Sequence, residues 1–480
     1  MTNQTQRPGT MRQATASIVA AHEWIRFTED RILSLRISSD HLDDRLFSIL
    51  SKLTRVDLLM TASPSNAPDI TYLITMNKLK SFSIRFSPTN RPKRIPKLTS
   101  FIWHSDCSVE HFSTWNSFVL VKKYLFPTSS CSLMINKHIT RLSLDLSHLG
   151  LALALIPYVP ALEHFEIRLY DIRLQYSTMT SEFLQERTWS AKVKSLHVIA
   201  YDQLVNTKSF CGFVKLFACS LEHLSFYIGT QQCYLMVGRR SFERHLLSHL
   251  PSLKQLNFCV HSGLMNSDDD RRQTFDSWTK TQVISIFHRR QSHTRFTLPF
   301  VFDRVEHVCN GFVEFHSNIH SIDFVLLLPS VRIISFASYG RLTLALFTLI
   351  RQACPHLRRI HFKKFCNLDD DLIRDTQLSL TTVTELCLDD VTLVMKFVAS
   401  YRLVCLIPNL QHLTIERRHL AMIAANNDQN NMFKHTRQVI IVENQSQSNK
   451  IQDNIDQNII HKIFPQAIVT YRTIEFINVL

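Results

Sequence analysis

His22 and Glu23 open the H-E-x-x-H pattern with which a helix turns two imidazoles toward one zinc ion and keeps a glutamate as general base. Arg26 stands where the second histidine must be, so the ion would lack a ligand on that face. Cys211, Cys219 and His223 form a looser set of sulfur and nitrogen donors. No second closely spaced pair accompanies them, and core cysteines beside a strand histidine are the expected reading. Asp268, Asp269 and Asp270 offer oxygens to a cation without the glycine and closing glutamate of a calcium loop, which predicts a solvated loop. The 8 glycines of the 480 residues lie at least nine positions apart, so paired-glycine devices are excluded: dinucleotide fingerprints, phosphate loops and nucleophile elbows. No catalytic, cofactor-binding or metal-binding residue is assigned, and the expectation is a protein that is not an enzyme.

Function must then be sought on a surface, and the surface is basic. Lys and Arg number 54 against 40 Asp and Glu, a net charge of +14 that favours acidic partners. The basic residues fall in small groups such as Arg91, Lys93, Arg94 and Lys97, or Arg358, Arg359, Lys363 and Lys364, and not in one basic arm. Eleven scattered cysteines without a C-x-x-C pair suit reduced thiols and hence the cytoplasm or nucleus. The apolar stretch from Ile18 to Ala21 is too short for a signal peptide, and the run from Leu149 to Leu162 is broken by Pro157 and Pro160 and too short to span a bilayer, so no membrane partner is expected.

One phrase recurs from residue 53 onward: an apolar residue followed by others at +3, +5 and usually +7. Its instances include Leu53, Val56, Leu58, Met60; Leu79, Phe82, Ile84, Phe86; Leu98, Phe101, Trp103; and Ile139, Leu142, Leu144, Leu146. It continues through Leu162, Phe165, Ile167; Val193, Leu196, Val198; Leu221, Leu224, Phe226; Leu253, Leu256, Phe258; Ile319, Ile322, Phe324; Leu357, Ile360, Phe362; Val383, Leu386, Leu388; and Leu410, Leu413, Ile415. Alternation with period 2 predicts a short strand each time, one face buried. The long interval between Leu253 and Ile319 holds Phe296, Leu298, Phe300 and Phe302, which predicts a further strand. Helix-spaced apolar residues precede several strands: Phe242, Leu246 and Leu250 before Pro251; Leu342, Leu346, Leu349 and Ile350 before Pro355; Val394, Phe397, Val398 and Tyr401 before Pro408. Proline then ends the helix and sets an extended start for the strand.

The stretch from Cys354 through Pro355, Leu357, Ile360, Phe362 and Cys366 to Leu368 resembles the cysteine-type leucine-rich repeat of F-box substrate adaptors, with Cys366 one residue late. The resemblance implies an α/β fold, an irregular leucine-rich-repeat solenoid with a curved parallel sheet and helices on its convex side. It spans residues 31–420 with an insertion around 261–318. Residues 1–30 are expected to be a flexible or partly helical N-terminal segment, and 421–480 polar low-complexity loops with capping strands. No F-box motif is found in the sequence. The resemblance therefore implies a substrate-binding arm for a protein partner, joined by a cullin ubiquitin-ligase complex if an F-box lies upstream. The alternative is a basic nucleic-acid-binding repeat protein.

In such a sheet the residues between the buried positions form the concave face. Arg85, Arg168, His223, Tyr227, Arg359, His361, Lys363, Glu385 and Asp389 are its expected partner-binding residues, with Arg359, His361 and Lys363 the most basic station. The repeat phenylalanines, Phe226 and Phe258 among them, are expected in the core.

Overall fold

The computed structural model describes residues 35–38, 55–60, 81–86, 111–115, 135–146, 149–169, 192–230, 239–263, 283–288, 292–317, 327–336, 341–362, 367–375, 377–388, 402–416, 433, 435–444, 460 and 463–474. They form a mixed α/β protein built on parallel sheets. The chain divides into two compact units, Met1–Arg168 with Trp189–Val193, and Leu169–Thr188 with Lys194–Leu480. Among the described residues no helix is long and apolar enough to cross a membrane.

In the first unit β1 (Leu35–Ser38), β2 (Arg55–Met60), β3 (Ser81–Phe86), β4 (His111–Trp115), β5 (Arg141–Leu146) and β6 (His164–Leu169) lie side by side in chain order. β1 to β5 pair in parallel, and Val56, Phe82, Phe112 and Leu142 stand in one register row. Parallel neighbours need a crossover, supplied between β5 and β6 by α1 (Leu149–Leu155) and the 3-10 turn Ile156–Tyr158. Leu142, Leu144 and Leu146 of β5, Leu153 and Leu155 of α1, and Phe165 and Ile167 of β6 are buried, as their spacing predicts.

The second unit begins with β7 (Ser195–Leu204), β8 (His223–Thr230) and β9 (Gln255–Gly263), all parallel. Leu196, Leu224 and Leu256 share one row, and Val198, Phe226 and Phe258 the row two residues on. The first crossover is α2 (Thr207–Lys215), whose N-cap Asn206 accepts from the Ser209 N–H at 3.1 Å. The second is α3 (Arg239–His245). Phe210 of α2 and Phe242 of α3 bring their rings to 5.0 and 6.2 Å from Phe226, which stacks on Phe258 at 5.8 Å.

The hairpin β10 (Val283–His288) and β11 (Ser292–Thr297) continues this sheet in antiparallel sense, β11 against β9 and β10 against β13 (His316–Ser317). Here the sequence expectation needs correcting. The run from Phe296 to Phe302 is not one parallel strand: β11 is antiparallel and stops at Thr297, ahead of Pro299, which has no N–H for a ladder. Phe300 and Phe302 are buried instead in the core, the Phe300 ring 5.2 Å from Phe296 and 5.4 Å from Phe302.

A second sheet is parallel throughout: β12 (Arg304–Val308), β14 (Ile333–Phe336), β16 (Arg359–Phe362), β18 (Glu385–Leu388), β19 (His412–Glu416), β20 (Gln438–Asn444) and β21 (Ile468–Ile474). One row runs through Val305, Ile334, Ile360, Leu386, Leu413, Val439 and Val469. α4 (Leu344–Ala353) buries Leu346, Phe347, Leu349 and Ile350, and its N-cap Thr343 accepts from the Leu346 N–H. β15 (Arg341–Leu342) and β17 (Asn367–Leu368) pair separately, and α5 (Asp370–Arg374) follows. β20 and β21 carry the register on as the sheet's last strands. The phrases at Leu98 and Ile319 and the helix expected from Val394 to Tyr401 lie outside the described residues.

The described cysteines are free. Burial pushes the Cys211 thiol up to about 11, that of Cys354 up to about 12, and that of Cys259 higher still. Only the thiolate is nucleophilic. Iodoacetamide at neutral pH should therefore label exposed Cys219 and leave Cys211, Cys259 and Cys354 unmodified until denaturant is added, as read by peptide mass spectrometry. Equal labelling of Cys354 in the folded chain would contradict its burial.

Candidate recognition face

The second sheet presents polar rows between its apolar ones. Arg304, Ile333, Arg359, Glu385, His412, Gln438 and Ile468 stand in register in one row, and Ser335, His361, Cys387, Thr414, Ile440 and Thr470 in the next but one. Arg359, His361, Glu385, His412 and Gln438 are exposed or half-buried. Arg359 Nε donates to Glu385 Oε2 at 2.5 Å, with Nη2 on the same oxygen, so the arginine of the expected basic station is charge-paired from the neighbouring strand. His412 Nδ1 lies 3.1 Å from Gln438 Oε1. At the β12 side the row closes: Glu306 is fully buried, ion-paired with Arg304 and accepting from Ser335 Oγ at 3.1 Å.

Arg359, His361 and Glu385 thus come together on adjacent strands, and His223 is half-buried in β8. Lys363 and Asp389 lie outside the described residues, as does the side chain of Arg85, whose backbone is in β3. Two expected contact residues face no solvent. Tyr227 is 1% exposed because the second face of β8 is itself covered: Tyr201 and Phe302 pack their rings at 4.7 and 5.5 Å, and the Glu306 N–H donates to the Tyr227 hydroxyl at 2.9 Å. Burial raises the Tyr227 pKa well above that of a free tyrosine. Ile199, Tyr227 and Cys259 occupy one register row, and three large or apolar residues at the same repeat offset were the signal for a covering layer.

Arg168 is 4% exposed and belongs to an internal polar cluster of the first unit. Its Nη2 lies 2.7 Å from Glu166 Oε1 and its Nη1 3.4 Å from Asp145 Oδ1, while Ser143 Oγ donates to Glu166 Oε2 at 2.7 Å. These four residues come from alternate positions on β5 and β6. A cation with two anions there satisfies its own fork and leaves no hand for a partner.

A second polar link sits where β7 meets β12. The Tyr201 hydroxyl donates to Asp303 Oδ1 at 2.7 Å, and the Arg304 guanidinium lies 5.2 Å from the Tyr201 ring centre. It ties the two sheets of the second unit and was not legible in the sequence, because the partners are a hundred residues apart. Among the described residues no group of three or more His, Cys, Asp or Glu side chains is arranged to hold a metal ion. No family model matches the chain, and no curated protein matches it.

Proposed function

We propose that the protein is a non-catalytic recognition scaffold that holds a protein partner on the polar rows of the second sheet, in the manner of the substrate arm of an F-box ubiquitin-ligase adaptor. The observation that carries the reading is the in-register row Arg359, Glu385, His412 and Gln438, repeated strand by strand above a continuous apolar row. Such stacking gives a long surface of fixed side chains at about 4.8 Å intervals, suited to an extended partner. A leucine-rich-repeat solenoid is the architecture proposed for this unit. Asn310 supports it: eight residues after Phe302, its Oδ1 accepts from the Thr343 N–H at 3.1 Å and its Nδ2 donates to the Arg341 carbonyl, joining neighbouring turns as the repeat's asparagine does. Free cysteines suit action in the cytosol or nucleus.

The test is affinity capture from cells with wild type and with Arg359→Glu/His361→Asp/His412→Asp. The variant should lose its protein partners about tenfold or more, in line with charge reversal in an interface, while any cullin complex stays. An unchanged set of partners overturns the siting. The net charge of +14 also suits nucleic acid. Retention on random DNA at about 150 mM salt, with a steep fall in affinity as salt rises, would favour that reading.

A further inference from the structure

We infer that the partner of this face presents an acidic, extended polypeptide segment, which docks on an arginine row at the start of the second sheet's strands; the inference rests on the recognition reading above. The ladder of the sheet begins one residue before each strand. The Arg332 N–H donates to the Asp303 carbonyl at 2.7 Å, Arg358 to Arg332 at 2.8 Å, Thr384 to Arg358 at 2.9 Å, Gln411 to Thr384 at 2.8 Å and Arg437 to Gln411 at 2.8 Å. One row therefore holds Arg332, Arg358 and Arg437, all exposed, with only Thr384 and Gln411 between the last two.

The equivalent row on β7 to β9 shows what is unusual here. It reads Lys194, Glu222, Lys254, laddered in the same way, and Lys254 Nζ holds Glu222 Oε2 at 2.8 Å. Cation alternates with anion there and the row is compensated internally. In the second sheet Asp303 heads the row beside Arg332 and accepts from the Tyr201 hydroxyl, while Glu385 is held by Arg359 and Glu306 by Arg304 and Ser335, so from Arg358 to Arg437 the row has no carboxylate of its own. Among the described residues no carboxylate pairs with Arg332, Arg358 or Arg437.

Spacing identifies the shape of the ligand. Strands lie about 4.8 Å apart, so Arg332 and Arg358 are one step apart and Arg332 and Arg437 four, about 19 Å. An extended peptide advancing about 3.4 Å per residue covers that in about six residues. Arginine presents a planar fork that takes a carboxylate with two parallel N–H bonds. Single-stranded nucleic acid would also want exposed rings on which bases stack. Among the residues whose side chains are described, the exposed large aromatic is Tyr471 in the last strand, which favours polypeptide.

The experiment is fluorescence anisotropy on the full chain with fluorescein-labelled hexaglutamate and, separately, a labelled twelve-nucleotide oligo-dT. Wild type is compared with Arg332→Gln/Arg358→Gln/Arg437→Gln and with the charge-matched control Arg244→Gln/Arg351→Gln/Arg374→Gln, which alters exposed arginines elsewhere. Hexaglutamate should bind wild type, weaken as salt rises, and lose about tenfold or more in affinity on the row variant but not on the control. Arg332→Lys/Arg358→Lys/Arg437→Lys, which keeps the charge, should retain part of the binding, so a folding defect of the glutamine variant cannot mimic the result. No binding to wild type at low salt, or equal loss in the control, overturns the inference. Tighter binding of oligo-dT that depends on the same three arginines overturns it in favour of nucleic acid. If hexaglutamate fails while Arg359→Glu/His361→Asp/His412→Asp still loses its protein partner, the acidic ligand falls and the recognition face stands.

Discussion

Truncating Phe226 to alanine is expected to cost about 3–5 kcal/mol, the range for removing a fully buried phenylalanine. Phe226 has no exposed surface and lies in the middle strand of β7, β8 and β9, with Phe210, Phe242 and Phe258 around it. These rings come from two helices and the adjacent strand, so one truncation removes the shared contact of three elements. Collapse is blocked because β8 is laddered on both sides, and the cavity term adds to the lost burial. Phe226→Leu, closer in volume, should cost less. Hydrogen exchange of peptides covering Ser195–Gly263, together with the urea midpoint, reads the effect. A loss below about 1 kcal/mol for the alanine variant would mean that the site relaxes as a surface does.

Alternation at period 2 says which residues share a face, and it read that much of the fold. Leu196, Leu224 and Leu256, or Ile360, Leu386 and Leu413, are register neighbours because each repeat phrase sets its own strand. Val331, Ile334 and Phe336 carry the same +3 and +5 offsets and are buried, so β14 follows the same phrase. Alternation does not say whether another layer lies across the second face. That is why Tyr227 and Arg168 were expected at a surface and are found inside. In the candidate site, Arg359 and Glu385 share the offset just before Ile360 and Leu386, so their opposition follows from the repeat phrase. So does the alignment of Arg358 with Thr384 and Gln411 and, through the β14 phrase, with Arg332. Arg437 stands ahead of a strand outside the recurring phrases, and hydrogen-bond register alone brings it into that row.

Replacing Arg168 by alanine should destabilise the first unit by about 3–5 kcal/mol, as breaking a buried ion pair does. The reason lies less in the pair than in what remains. Glu166 keeps its bond from Ser143 and has 30% of its side chain exposed, so water can take the place of the guanidinium. Asp145 is fully buried, so water does not replace the guanidinium there. With the guanidinium gone, burial favours the protonated form of Asp145. The folded variant then takes up a proton that the unfolded chain gives up, so its stability deficit should narrow as pH falls from about 8 to about 5. Wild type, in which the guanidinium stays beside Asp145, should show no matching gain. Replacing both partners, Arg168→Leu with Asp145→Leu, should recover most of the loss, because two apolar groups leave no charge to desolvate. Hydrogen exchange over Arg141–Leu169 and urea midpoints at the two pH values give the comparison. An Arg168→Ala deficit that stays constant with pH would show that Arg168 acts through packing of its stem and not through the Asp145 carboxylate.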